Sequence, residues 1–178
     1  MDATLDLVAT VGLLKTTISK ISRQAECSPG IVYHHFNSKD DIVNLLYEVV
    51  LDEMTTYVVK GYDTDEPFLT RFKRFWIRIY EYHLSHPKNA VFFEQFKNSS
   101  YYTPAMEAVS AKYLQVYADM FEADAAAKHM ASYPLEVIQA LTWDVAKNLA
   151  RVHAKQGIRF DDDTLNEIAE RSCKSVSL

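Results

Sequence analysis

The stretch TTISKISRQAECSPGIVYHHFNSKDDIVNLL, Thr16 to Leu46, decides the fold. Its apolar residues recur at intervals of three and four rather than two, which is the spacing of helix faces. Ile18, Ile21 and Ala25 fall on one stripe of a helix beginning near Thr17, with Thr16 or Thr17 placed to cap its start. The sequence AECS interrupts the pattern. Ser28 can then cap a short helix whose first residue is Pro29, where a missing N–H costs nothing, and Val32 and Phe36 fall on its buried side. Ser38, with Asp41 three residues on, makes a capping-box-like start for a longer helix carrying Ile42, Leu45, Leu46, Val49, Val50, Met54, Tyr57 and Val58. That helix spans about 30 Å.

Two short helices, a tight turn and a capped successor match the helix-turn-helix pattern, whose second helix enters the major groove of DNA. The candidate reading helix runs from Pro29 to Phe36. Pro29 and Gly30, just after the Ser28 cap, add little bulk at its tip and let the backbone approach a duplex closely. Tyr33 and His34 follow one turn on, able to donate to phosphate oxygens or base edges, and Ile31 can touch a thymine methyl. Thr17 and Lys39 flank the helix and supply helix-terminal N–H groups and charge for phosphates. His34 and His35 are adjacent, point to different sides and cannot chelate one metal ion, and one of them is expected to pack inward.

Upstream, a helix from about Asp2 to Val11 is closed by Gly12. Downstream, KGYDTDEP (Lys60 to Pro67) is the clearest linker, and the long helix before it joins a helix-turn-helix domain (1–48) to a larger domain (49–178). Pro67 to about His83 carries the stripe Phe68, Leu69, Phe72, Phe75, Trp76, Ile79 and Tyr80, with Arg71, Lys73, Arg74 and Arg78 on the far side. Helices through AVFFEQF and from Met106 to Met120 follow. One further helix is expected over Pro134 to Gln156, stopped by Gly157, and a last one carries Leu165, Ile168 and Ser172. The first has apolar residues on more than one face and the second a single stripe, a pair with surplus apolar surface. Val137, Leu141, Val145, Leu149, Leu165, Ile168 and Ser172 are therefore the candidate dimer interface, four helices from two subunits burying what one subunit cannot. The fold class is all-α.

The 178 residues are 48% apolar, enough for a core, and the net charge of −5 argues weakly against indiscriminate nucleic-acid binding. Yet Lys15, Lys20, Arg23 and Lys39 face only Glu26 between Lys15 and Lys39, so one short segment is locally basic. No apolar run approaches the roughly 18 residues of a membrane span, and the N-terminus lacks a signal-peptide pattern, so no membrane association and a cytoplasmic location are expected. Cys27 and Cys173 have no metal-ligand or disulfide-framework spacing and read as small packed residues. His83 and His86 are three apart, but Pro87 implies a helix break beside them, so no metal site is expected. With four glycines and no GxGxxG, P-loop or GxSxG, the chain offers no catalytic constellation and no cofactor cradle.

The segment Thr16 to Leu46, with LDLVATVG before it, resembles the DNA-binding signature of TetR-type (TetR/AcrR) transcriptional regulators: a threonine pair opening the second helix, and a Phe-x-Ser/Asn-Lys segment leading into the fourth. The resemblance covers roughly Ala3 to Val50. It implies that Thr17, Tyr33 and Lys39 contact phosphates, while Pro29, Gly30 and His34 approach bases or the adjacent backbone. It also implies a ligand-responsive repressor that binds double-stranded DNA at a palindrome as a homodimer, and a C-terminal domain enclosing a small hydrophobic or aromatic effector. Trp76, Tyr80, Phe93, Phe96, Tyr113, Tyr117 and Trp143 are the candidate pocket residues, with Glu94, Gln95 and Asp144 as possible polar anchors. The chain departs from the family pattern at Val8, where Phe is common, at His35, usually aromatic, and at Glu26, which replaces a frequent turn glycine at about 1 kcal/mol if that residue is left-handed. Family members generally carry a basic extension before the first helix, whereas Met1 practically begins it here. A helical protein-interaction module on the same fold, without operator binding, is the alternative.

Overall fold

Ten helices account for the chain in a computed structural model that describes all residues from Met1 to Leu178. They are α1 (Asp2–Val11), α2 (Ile18–Gln24), α3 (Pro29–His35), α4 (Lys39–Val59), α5 (Phe68–Ser85), α6 (Pro87–Lys97), α7 (Pro104–Ala126), α8 (Leu135–Leu141), α9 (Trp143–Gln156) and α10 (Asp162–Lys174). The only β pairing is an isolated bridge between Met130 and Ser177. The chain is all-helical, as the spacing of its apolar residues requires.

Local chemistry sets the first four boundaries. Gly12, with φ of 92°, turns the chain out of α1 at a backbone angle that an L side chain resists. The Thr17 hydroxyl accepts the Lys20 N–H at 3.3 Å, and Ser28 accepts that of Ile31 at 3.4 Å. Ser38 accepts the Asp41 N–H at 3.1 Å, while the Asp41 carboxylate accepts from the Asn37 N–H at 3.0 Å. These bonds satisfy N–H groups that a helix start leaves without partners, and hydrogen bonds to its carboxylate from the Ser38 side chain and the Asn37 N–H hold the Asp41 carboxyl below its ordinary pKa.

The chain forms two compact units. The first comprises Met1–Glu53 together with Lys88–Tyr113, so it takes in α6 and the start of α7 as well as the first three helices. Ile21, Val32 and Ile42 form a small core under the helix-turn-helix, with Leu7, Ile18, Cys27 and Phe36 packed against it. A second, aromatic part lies around Tyr47, which is fully buried and stacks on Phe96 at 4.2 Å and Phe93 at 5.4 Å. The Tyr47 hydroxyl shares a hydrogen bond of 2.6 Å with Ser110, and burial pushes its pKa up to about 12. Leu45 and Val49, on the expected apolar stripe of α4, are instead each 43% exposed.

The second unit comprises Met54–Pro87 and Leu114–Leu178. Its α5 packs against α9 and α10. The apolar stripe of α5 is buried at Phe72, Phe75, Trp76, Ile79 and Tyr80 and half-buried at Phe68 and Leu69, and its far side is not wholly exposed. Arg71 is buried and makes a bidentate pair with Asp124 of α7, at 2.9 and 2.8 Å. Arg71 also donates to the Glu66 carbonyl and the Tyr62 hydroxyl, which ties the connection between α4 and α5 to the same carboxylate.

The expected single helix from Pro134 to Gln156 is broken at Thr142, whose φ of −125° and ψ of −75° are not helical. Thr142 is fully buried, and its hydroxyl bonds back to the Ile138 carbonyl at 2.6 Å, a contact that bends helices. Its carbonyl accepts both the Ala146 N–H and the indole N–H of Trp76, the latter at 3.0 Å. A long-range donor thus fixes a break that the local periodicity does not record.

Candidate nucleic-acid interface

The reading helix α3 is held by its inner face and its tip. Val32, 7% exposed, anchors it to the small core, and the Ser28 cap closes its first turn. What remains points outward: Pro29, Gly30, His34 and His35 are exposed, Ile31 is 53% exposed and Tyr33 57%. Two large side chains in solvent, one of them wholly apolar, are an informative exception to burial. The histidines correct the expectation that one packs inward, because both are exposed and their rings meet edge-on at 5.1 Å. With one apolar anchor in a seven-residue helix, neither has a core position to fill.

Of the flanking groups, Thr17 is exposed at the start of α2, beside Lys15, Lys20 and Arg23. Lys20 Nζ donates to the Lys15 carbonyl at 2.8 Å. Lys39 is half-buried; its Nζ donates to the Leu13 carbonyl at 2.6 Å and lies 5.2 Å from the Tyr101 ring centroid. An ammonium has three protons, so this bond leaves two for a phosphate. Glu26, in the turn before Ser28, has φ of 52° and is exposed.

Gln95, a possible polar anchor of the pocket by its sequence, instead belongs to the support of the helix-turn-helix. The Gln95 side chain accepts the Leu13 N–H at 2.7 Å and donates to the Val8 carbonyl at 3.3 Å. The separation of 82 residues between Leu13 and Gln95 leaves no local signal for this contact.

The seven candidate pocket aromatics are divided between the units. Trp76, Tyr80, Tyr117 and Trp143 lie in the aromatic core of the second, where Tyr117 and Trp143 meet at 5.4 Å. Phe93 and Phe96 lie in the first unit beside Tyr47, and Tyr113 is half-buried there. The indole nitrogen of Trp143 is buried without a hydrogen-bond partner. Of the seven candidate dimer residues, Val137 and Leu141 are 39% and 40% exposed, and Val145, Leu149 and Ile168 are half-buried. Leu165 and Ser172 face their own unit's interior.

The second helix of a capped, outward-facing pair on an all-helical chain defines the helix-turn-helix class. A family model described as "Bacterial regulatory proteins, tetR family" matches residues 1–46, and one described as "Tetracyclin repressor-like, C-terminal domain" matches residues 67–177. The chain belongs to the TetR family of transcriptional regulators, proteins that are not enzymes. A curated relative, an uncharacterised helix-turn-helix-type transcriptional regulator from Haemophilus influenzae, is 25% identical over 85 residues, 48% of this chain and 46% of that protein. The match thus spans about half the length of that relative. Among solved structures, a TetR-family regulator from Marinobacter aquaeolei shares the fold at a TM-score of 0.91 and 16% identity, over 99% of this chain and 92% of that one. A putative TetR-family regulator from Vibrio parahaemolyticus does so at 0.86 and 20%, over 99% and 96%. No helix is long and apolar enough to cross a membrane.

Proposed function

We propose that the protein is a DNA-binding repressor that reads a palindromic operator as a homodimer and is released by a small hydrophobic or aromatic effector. The observation that carries the reading is the outward presentation of Ile31, Tyr33 and His34 on α3 while Val32 is the one buried side chain of the helix. Pro29 and Gly30 bring the tip to the duplex, Tyr33 and His34 meet base edges or phosphates, and Thr17, Ser28 and Lys39 position the helix on the backbone. Val137, Leu141, Val145 and Leu149 recur every four residues across the α8–α9 break and remain at least partly exposed, which supports self-association there.

Tyr117 and Trp143 are the best-supported effector contacts, since the Trp143 N–H has no acceptor and a ligand carbonyl or carboxylate would provide one. The helices α4 and α7 each begin in the first unit and end in the second. An effector that shifts α5 and α7 would thereby move α4 and the reading helix it follows. A coupling of roughly 1 to 3 kcal/mol gives a 5- to 150-fold loss of operator affinity.

The deciding experiment is selection of bound duplexes from random DNA. Recovery of an inverted repeat, its half-sites about one helical turn or a simple multiple apart, is the expected result. Enrichment of no sequence, even at low salt, removes the operator reading and leaves a protein-interaction module on the same fold.

A further inference from the structure

We propose that Gln95 is a positioning residue of the reader: from α6 it fixes the Leu13 peptide unit, and through that unit the placement of Thr17 and Lys39. The inference rests on the DNA-reading role and names the side chain that holds the reader's approach in shape. Leu13 lies just past the end of α1, where the chain leaves the helix at Gly12. The Gly12 N–H still bonds to Val8, but the Leu13 N–H has left the helical ladder and finds its acceptor in Gln95 Oε1 at 2.7 Å. The carbonyl of the same residue accepts from Lys39 Nζ at 2.6 Å. Both polar groups of one residue are thus held by side chains from two distant helices, α6 and α4, while the Leu13 side chain is 2% exposed and cannot slide. The two bonds of the Gln95 amide also fix which end is oxygen, because one partner is a donor and the other an acceptor.

The constraint passes directly to the interface. Thr16, fully buried, returns its hydroxyl to the Gly12 carbonyl at 2.9 Å, which closes the turn over Leu13 and sets where Thr17 begins α2. Lys39, bonded to Leu13 on one side and lying by the Tyr101 ring on the other, has its two remaining protons aimed by the same clamp. Loss of Gln95 leaves a part-buried N–H without an acceptor, and the turn then moves to find water. Thr17 and Lys39 lose their fixed placement, whereas Tyr33 and His34, held through Val32 and Ser28, keep theirs.

The test compares Q95A and Q95E with the parent chain, using the duplex that the parent protein enriches. Q95A is expected to bind that duplex about tenfold more weakly, the scale of one lost buried hydrogen bond. Phosphate-ethylation interference should vanish where Thr17 and Lys39 contact the backbone and persist where Tyr33 does. Q95E, which keeps an acceptor for the Leu13 N–H but loses the donor to the Val8 carbonyl, should recover part of the affinity. In the DNA-free protein, amide hydrogen exchange over residues 13–17 should quicken about tenfold in Q95A and stay unchanged over α3. The proposal is overturned if exchange over residues 13–17 matches the parent, or if affinity falls with all phosphate contacts weakened alike, α3 exchange raised equally and no recovery in Q95E. Failure of the DNA-reading role is a separate result: the parent enriches no duplex, and the exchange measurement still decides whether Gln95 holds the turn.

Discussion

In the N-terminal unit, the outward-facing groups are placed by single bonds between side chain and backbone: Thr17, Ser28 and Ser38 cap helices, and Gln95 and Lys39 hold one turn. In the C-terminal unit, Arg71, Asp124, Tyr62 and Glu66 form one interior polar network beside a continuous aromatic core. Each bond of the first kind contributes about 0.5–2 kcal/mol and can be lost without unfolding the chain. The second kind is cooperative, since removal of Arg71 leaves the buried Asp124 carboxylate with only the His129 imidazole at 3.2 Å beside it. A surface that must meet a duplex is thus supported by small local devices, whereas the body that would carry dimer and effector contacts is fixed as a whole.

The largest expected effect breaks that contrast if it fails. Arg71→Ala leaves Asp124, whose side chain is 4% exposed, without its guanidinium and should cost about 3–5 kcal/mol in urea unfolding. Replacing both partners together, R71M with D124L, should cost much less, because no charge is stranded. Equal losses in the single and double variants would mean that packing rather than charge pairing holds this region.

A smaller effect, also confined to the C-terminal unit, depends on pH. Burial, aided by the nearby Lys147, pushes the His83 imidazole down to about 4, while Nε2 is buried without a partner. The folded form therefore resists a proton that the unfolded chain takes up below about 6.5. The stability contributed by neutral His83 is complete above that value and is lost as pH falls through about 4. At most about 3 kcal/mol is at stake, and His83→Leu should flatten the fall of the urea midpoint between pH 7 and 4. An unchanged pH profile in that variant would assign the acid sensitivity to other groups.

What was legible in the sequence follows the same division. Thr17, Ser28 and Ser38 act on N–H groups three residues away, so their spacing alone placed α2, α3 and the start of α4. The candidate DNA contacts were readable for the same reason, because turn, cap and tip all lie within Thr16 to Lys39. Arg71 reads in the sequence as one more charge on the far side of the α5 stripe, since Asp124 lies 53 residues away. The break at Thr142 depends on Trp76, 66 residues away, and the role of Gln95 on a turn 82 residues earlier. Inclusion of α6 in the first unit is likewise non-local and left no mark on linker composition.

On the reader itself, Tyr33→Ala should weaken binding to the selected duplex by about tenfold, roughly 1–2 kcal/mol, with no change in unfolding, because the ring is 57% exposed. A loss of stability together with affinity would show that Tyr33 supports the fold rather than a DNA contact.

The smallest effect separates backbone strain from charge at one residue. Glu26 sits at φ of 52°, a conformation that costs an L residue roughly 1–2 kcal/mol, and Glu26→Gly relieves it. Glycine also frees the unfolded chain, which offsets about 0.4–1 kcal/mol, so a net gain of about 0.5–1 kcal/mol is expected in urea unfolding. Glu26 is also the sole acid between Lys15 and Lys39, so its removal should tighten DNA binding most at low salt. Glu26→Gln divides the two contributions: it keeps the strained backbone and removes the charge. The glutamine variant should bind DNA as tightly as the glycine variant while staying as unstable as the parent. If it is as stable as the glycine variant, the left-handed turn carries no strain and the small-device account of this unit loses one member.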